Sequence, residues 1–354
     1  MPAALVAQFP WWSLSDPVIT FALHLKRNGL EPRLVGPELL DFIARRYPSE
    51  AVFEDLHLFR SPDAAHVPTL LREALDGPGP RFAVFFDEKS FLSGAAAAAS
   101  LGARVYLYST EIPDPGRIDA ADLERAFRAA RARLVIQDED RLRGYEQATG
   151  LAFGDALLLP NASLPDVDYG QEDPGIPGIA DWSRTLVLSG SIQPEHATLE
   201  SVEAFLRGFP SWTLLVNGWG GRELERLRDA VRGRAEVVLN TDFLSGPRIR
   251  WIYAHCGGGV VSYYNGSYNH RHCGRASGKL YWICRHGKPV LCNDNVSIAG
   301  LVDREGLGCG LLEPGARERL ERDGADMGRR ALEFFRREAA EMAAGLDRMF
   351  GEGN

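Results

Sequence analysis

Sulfur is scarce in this 354-residue chain: four methionines and five cysteines. The cysteines (Cys256, Cys273, Cys284, Cys292 and Cys309) are odd in number and confined to the second half. That excludes the dense, evenly spread disulfide framework of a small secreted domain and points to a reduced, cytoplasmic setting. No Cys-x-x-Cys occurs, so the run His270-Arg271-His272-Cys273, with His255, Cys256 and Cys284 nearby in sequence, matches no standard zinc spacing. Long apolar runs are also missing. Ala95 to Ala99 is short and flanked by Ser93, Gly94 and Ser100, too short to span a bilayer. The stretch Met1 to Trp12 has no basic segment and no long apolar core, so no signal peptide is expected. Positive charge is in deficit, with 40 Lys and Arg against 48 Asp and Glu and a net charge of −8. A broad basic surface for nucleic acid is thereby disfavoured, and any site for an anionic ligand must be local. At 45% hydrophobic and 25% charged residues, the chain can build two ordinary globular cores.

Strand-like and helix-like segments alternate along the first half. Ala3 to Phe9 reads as a strand. Asp16-Pro17 then opens a helix to about Asn28, with Asp16 as N-cap and Pro17 at the first helical position. A strand over Pro32 to Val35 and a helix over Pro37 to Arg46 follow. Next come a strand over Phe82 to Asp87, a helix over Ser90 to Leu101, and a strand over Arg104 to Tyr108. Ala120 to Ala132 is an amphipathic helix, and Leu134 to Gln137 and Leu157 to Pro160 are strands. A Gly- and Pro-rich stretch lacking apolar periodicity, about Pro165 to Asp181, reads as a linker. The alternation then restarts at Thr185 and runs through strands near Trp212, Ala235, Gly258 and Pro289. Such alternation implies parallel β-α-β units. The expected architecture is α/β: two Rossmann-like parallel-sheet domains facing a cleft, residues 1–165 and 166–328. A striped helix, residues 329–354, packs at the domain junction or simply covers the second domain.

Ligands of open parallel sheets bind beyond the carboxyl ends of strands, and three such ends in the second half carry suitable groups. Ser189-Gly190-Ser191 offers backbone N–H groups and hydroxyls to a phosphate, or is a plain tight turn. Asn217-Gly218-Trp219-Gly220-Gly221 offers similar backbone access, with the same alternative. Ser277-Gly278-Lys279 opens a helix, whose unpaired N–H groups and partial positive charge suit a diphosphate. The competing reading is a capped helix with an exposed lysine. The Gly-x-x-x-x-Gly-Lys-Ser/Thr spacing of a P-loop is absent. Trp11 and Trp12 would stack on a sugar or pack over the sheet.

Several pieces fall in a familiar order. They are Tyr108-Ser109-Thr110-Glu111, Val135 to Arg141, Leu159-Pro160-Asn161-Ala162, Asn269, Ala276-Ser277-Gly278-Lys279-Leu280, Gly287-Lys288-Pro289-Val290-Leu291, Ile298 to Val302 and Gly306-Leu307-Gly308. Together they resemble the GT-B-type glycosyltransferases (group 1-like) over about residues 105 to 310. The resemblance implies transfer of a sugar from a nucleotide-diphosphate donor to an acceptor hydroxyl, a hexosyltransferase type of activity in glycan or glycoconjugate biosynthesis. The acceptor would be a glycan, a lipid-linked or a small molecule; peripheral membrane contact is compatible with this, and nucleic acid is not a partner. It implies no cofactor and no metal. Lys279, Ser277 and Gly278 would face the diphosphate, with Gly190 and Ser191 opposite and Asn217, Gly218 and Asn269 nearby. Phe243 or Tyr253 would line the base pocket or belong to the core. Glu111 or Asp16 would take the acceptor proton, although an exposed loop and a helix cap account for them equally. The chain departs from the pattern in three places. Phe9-Pro10-Trp11-Trp12-Ser13 replaces the N-terminal Gly-Gly, Ser277 and Arg285 stand where a Glu-x7-Glu pair is common, and Gln193 and Glu195 replace a basic pair. Two other functions fit the same residues: a catalytically silent nucleotide-sugar-binding relative, and a nucleotide-sugar epimerase.

Overall fold

The computed structural model describes residues 1–9, 12, 15–38, 52–59, 66–164, 170–266 and 268–351. Two compact units emerge: residues 1–164 with 339–354, and residues 165–338. The first unit contains β1 (Pro2–Val6), α1 (Asp16–Arg27), β2 (Glu31–Pro37), β3 (Asp55–Phe59), α2 (Val67–Ala74), β4 (Arg81–Phe85) and α3 (Glu88–Ser100). It continues with β5 (Ala103–Tyr108), α4 (Ala120–Ala130), β6 (Arg133–Ile136), α5 (Glu139–Thr149) and β7 (Leu157–Leu158). Its strands lie in the order β3-β2-β1-β4-β5-β6-β7, and every pairing is parallel. β1 is buried along its whole length, as expected for a strand covered on both faces. The order reverses between β1 and β4, which makes that gap the topological switch point of the sheet.

The second unit repeats the plan. It contains β8 (Thr185–Ser189), α6 (Thr198–Gly208), β9 (Thr213–Asn217), α7 (Arg222–Ala230), β10 (Val237–Asn240), α8 (Gly246–His255) and β11 (Gly258–Val261). A short α9 (Tyr268–Arg271), α10 (Gly278–Arg285), β12 (Val290–Cys292), α11 (Val296–Glu305) and β13 (Gly308–Gly310) complete the sheet layer. The strand order is β10-β9-β8-β11-β12-β13, again parallel throughout. Its switch point lies between β8 and β11. One face of the sheet packs on α6 and α7 through Leu186, Val202, Phe205, Leu214, Leu224 and Leu227.

A long helix, α12 (Ala316–Gly351), closes the chain. It begins at Ala316 rather than near Arg329, because a charged ladder of Arg and Glu hides the earlier apolar positions Ala316, Leu320 and Met327, all buried. Its residues 316–338 belong to the second unit and 339–351 to the first. Within the first unit, Phe350 packs edge-on to Phe21 and Phe82, and Tyr106 donates to the Met349 carbonyl at 3.1 Å. Within the second, the buried carboxylate of Glu338 meets Arg275 at 3.1 Å and the Tyr281 hydroxyl at 3.2 Å.

Three local readings change. Ser15, not Asp16, is the N-cap of α1, because the Ile19 N–H reaches the Ser15 carbonyl (3.1 Å) and starts the helix one residue earlier. Asp16 is instead the first helical residue, where its charge suits the helix N-terminus. β3 and α2 were not expected from the sequence. Pro37 ends β2, and the remainder of the expected helix to Arg46, from residue 39 on, lies outside the described residues, as do Trp11 and residues 165–169 of the linker. Trp12 is fully buried, donates to the Pro37 carbonyl at 2.9 Å and meets Phe53 edge-on; it packs over the sheet and is not available for stacking on a sugar.

Candidate functional site

The loops that leave β8, β11 and β12 interlock at the switch point of the second sheet. Tyr264 N–H donates to the Glu195 carbonyl (2.7 Å), and Ser262 Oγ to the His196 carbonyl (2.8 Å). Asn293 Nδ2 donates to the Tyr263 carbonyl (2.9 Å). Onto this platform α10 delivers its first turn. Ser277 is its N-cap: Oγ accepts from Leu280 N–H (3.4 Å) and exchanges a second hydrogen bond with the Tyr263 hydroxyl (3.0 Å).

Lys279, in that first turn, lies across the site. Its Nζ sits 4.8 Å from the centre of the Tyr263 ring and against the backbone of Gly190. A Cβ on Gly190 would fall 2.8 Å from Lys279 Cε, and Gly190 holds φ at +124°, a conformation that favours glycine. The lysine keeps some solvent contact along its length, yet Nζ has none and makes no hydrogen bond among the described residues. Burial pulls its pKa down from 10.5 to about 8. A buried ammonium without a hydrogen bond is costly, and a bound anion would supply one.

Two histidines complete the lining. His196 stands edge-on to Tyr263 and His270, each with ring centres 5.5 Å apart, and His270 stacks on Tyr263 at 5.2 Å. His196 Nδ1 contacts the Ser191 carbonyl, and Ser191 Oγ lies 3.1 Å away. A carbonyl can only accept, so Nδ1 carries the proton and Nε2 is left as an acceptor. Burial, and then the Lys279 charge, push the pKa of His196 down to about 3; the ring is neutral at physiological pH.

Of the residues expected at a donor site, Lys279, Ser277, Gly278, Gly190 and Ser191 are brought together. Asn217 and Gly218 adjoin them through the backbone: Gly190 N–H donates to the Asn217 carbonyl (3.0 Å), and a Cβ on Gly218 would lie 2.1 Å from the Gly190 carbonyl oxygen. Asn217 Oδ1 accepts from Asn240 (2.7 Å). Asn269 lies on α9 beside His270. Phe243 packs on the exposed Trp219, with ring centres 5.0 Å apart. Tyr253 is buried beside Ser189 and stacked on His286; burial raises its pKa strongly. The Tyr-, Asn- and His-rich loop around His270 is readable from the sequence as a ligand contact, but His196 is not, and the meeting of His196, Tyr263 and His270 depends on the adjacency of β8 and β11. Among the described residues no group of three or more metal-ligating side chains is assembled. Cys273 donates instead to Asn295 Oδ1 at 3.7 Å.

The first unit places Glu111 on an exposed loop, its carbonyl accepting from Ser109 Oγ (3.0 Å). Asp16 is half-buried at the start of α1, within electrostatic reach of Tyr108. Two carboxylates that the sequence reading passed over stand at the end of β4. Asp87 caps α3, and Glu88 follows it. Burial raises the pKa of both, Glu88 to about 7.

No protein-family model matches the sequence, and no curated protein matches it. Solved structures do match, over nearly the whole chain. HepE from Anabaena in complex with UDP-glucose is 13% identical, with a TM-score of 0.73 over 99% of this chain and 100% of that one. The trehalose-6-phosphate protein from E. coli bound with UDP-2-fluoro glucose is 10% identical, with a TM-score of 0.67 over 99% and 98%. A glycosyltransferase from Rickettsia africae is 9% identical, with a TM-score of 0.65 over 99% and 97%. Likeness of that extent at such low identity is a likeness of fold, and the two parallel sheets with their reversed strand order give this chain the GT-B glycosyltransferase fold.

Proposed function

We propose that the protein is a glycosyltransferase that takes a hexose from a nucleoside-diphosphate donor held at the switch point of its second sheet. The observation that carries this reading is the buried Nζ of Lys279, which has no hydrogen-bond partner among the described residues and is pressed against Gly190 at the mouth of that switch point. When the bond between the sugar and the diphosphate breaks, negative charge grows on the departing diphosphate. An ammonium already stripped of water and the free N–H groups of the first turn of α10 stabilise that charge without reorganising. The bare Nε2 of His196 accepts a hydrogen bond from a donor hydroxyl. On this reading the site needs no resident metal ion, because Lys279 and the helix N-terminus supply the positive charge. That the similar structures named above hold UDP-glucose or UDP-2-fluoro glucose supports a UDP sugar as the first donor to try.

We place the activity in the assembly of a glycan or glycoconjugate, on a glycan, lipid-linked or small-molecule acceptor, in the reduced cytoplasm. All five cysteines are free and buried, and among the described residues no helix is long and apolar enough to cross a membrane. Melting curves with UDP, GDP, TDP, CMP and ADP, with and without magnesium, test the reading. A ligand that binds only the folded state raises the melting temperature. One diphosphate should produce a clear rise that Lys279→Ala abolishes. No rise with any nucleotide refutes the donor site.

A further inference from the structure

The first unit carries a cavity where β5 and β6 begin, at the end of the sheet opposite Asp87 and Ser109. Its volume is about 530 Å³, and Arg104, Arg131 and Arg133 line it beside the small residues Ala99, Gly102 and Ala129. The cavity exists because two strands start out of step. Tyr106 pairs with Arg133, the first residue of β6, so Ala103, Arg104 and Val105 of β5 run on past the start of their neighbour. The ends of α3 and α4 that border this notch carry alanine and glycine, which leave it unfilled. A volume of that size lies in the range of small-molecule sites. Substrates of open parallel sheets bind beyond the opposite, carboxyl ends of the strands, so this cavity is separate from the strand ends described above.

Its charge runs against that of the chain, which carries a net −8. The three guanidinium groups come from three segments: Arg104 from β5, Arg131 from the end of α4 and Arg133 from β6. Arg104 lies over the Phe82 ring, 6.0 Å from its centre. Arg133 is held by the Asp155 carbonyl, to which Nε and Nη2 donate at 3.3 and 3.1 Å, and the Asp155 carboxylate lies 3.8 Å from Nε. Arg131 forms hydrogen bonds through its backbone alone among the described residues. Three cations against the Asp155 carboxylate leave a surplus of two positive charges.

Arg131 also holds a backbone conformation that the rest of the fold gives to glycine. It ends α4 at φ +47° and ψ +40°, in the left-handed region. After α3, α5 and α11 the same position is Gly102, Gly150 and Gly306. A side chain there carries a steric cost that glycine avoids, and backbone held at such a cost concentrates at ligand sites. At α4 it sets a guanidinium on the cavity where the other helix ends have no side chain. Among the described residues none of the exposed large apolar side chains lines the cavity, so it lacks the apolar face with which a protein enters a lipid surface. We propose that the cavity binds a soluble small molecule bearing a phosphate monoester, held by Arg104, Arg131 and Arg133. A phosphate monoester carries about −1.5 to −2 charges at neutral pH, which matches the surplus. The planar fork of an arginine grips two phosphate oxygens at once. The remaining volume, beyond what a phosphate fills, takes the group that carries it.

The test follows the melting temperature of the full chain with ribose 5-phosphate, and with ribose as the neutral control. A ligand that binds the folded state raises it. The rise should appear in the wild type and persist in Lys279→Ala, which sets the second unit's site aside. Arg131→Gly suits the left-handed backbone and should melt no lower than wild type without ligand, yet it should weaken ribose 5-phosphate binding about 10- to 100-fold. Arg104→Met keeps an apolar stem against Phe82 and should weaken it as much. Arg128→Ala removes an equal charge three residues away, from a side chain outside the cavity, and should bind as the wild type does. No rise with ribose 5-phosphate, an equal rise with ribose, or a rise that vanishes in Lys279→Ala overturns the proposal. So does an affinity that is unchanged in Arg131→Gly or lost equally in Arg128→Ala. Sedimentation with vesicles containing phosphatidic acid, in place of a response to ribose 5-phosphate, assigns the cavity to a lipid head group and overturns the soluble ligand.

Discussion

Replacing Lys279 with methionine should make the free protein more stable while destroying its nucleotide binding. The drop in the lysine pKa from 10.5 to about 8, at about 1.4 kcal/mol per pH unit, means that keeping the ammonium in its site costs the fold about 3 kcal/mol. Methionine fills the same space with a flexible apolar chain and carries no charge to desolvate. The sign with pH follows from proton linkage. Below pH 8 the lysine is charged in folded and unfolded chains alike, and the full cost stands. Between pH 8 and 10.5 the folded chain releases its proton while the unfolded chain keeps it, so wild-type stability rises relative to the variant. Above 10.5 the gap has closed. Urea unfolding of both proteins at pH 7 and pH 10 measures the gap, and the subtraction cancels every other titrating group. An anionic diphosphate favours the charged lysine, so UDP binding at pH 9 should take up a proton. Calorimetric titrations in two buffers of different ionisation heat read that uptake, which should be absent in Lys279→Met. The reasoning is refuted if Lys279→Met is no more stable than wild type at pH 7, or if the gap is the same at pH 10.

Two further substitutions probe the supports of the site. Gly190→Ala drives a Cβ to 2.8 Å from Lys279 Cε at a φ of +124°, and should destabilise by about 1–3 kcal/mol and weaken UDP binding. Arg275→Ala leaves Glu338 buried without its 3.1 Å partner and should cost about 3 kcal/mol in urea unfolding, the second contact from Arg337 at 3.5 Å limiting the loss; a change below about 1 kcal/mol would show that the buried pair contributes little.

The strands that the sequence reveals are those buried on both faces, such as β1, β4, β8 and β9, whose apolar runs are continuous. β3 is not legible because it is an edge strand: Asp55 and Leu58 face solvent, and an edge needs no such run. The helix break before Lys279 is local chemistry, a capping serine, a glycine and a lysine in consecutive positions, and it can be read without the fold. The meeting of His196, Tyr263 and His270 cannot, since it depends on β8 and β11 being neighbours. Glu88 and Glu111 illustrate the remaining gap. Both follow strands of the first sheet, and their residue type is the same. One is half-buried beside Tyr145 and Arg141 of α5, and the other is exposed. Burial is a property of the folded chain, and nothing in the sequence around the two carboxylates shows it.

Because the first unit is assembled from both ends of the chain, its synthesis is out of step with its folding. When Leu164 leaves the ribosome, all seven strands of the first sheet exist, but Phe350, which packs against Phe21 and Phe82, does not. Some 170 residues of the second unit must be translated first. At about 5–20 residues per second, that delay is on the order of 10–30 s. During that interval, the apolar surface destined for the end of α12 is open to chaperones, and a ribosome stalled within the second unit would release a first unit missing its last piece of core.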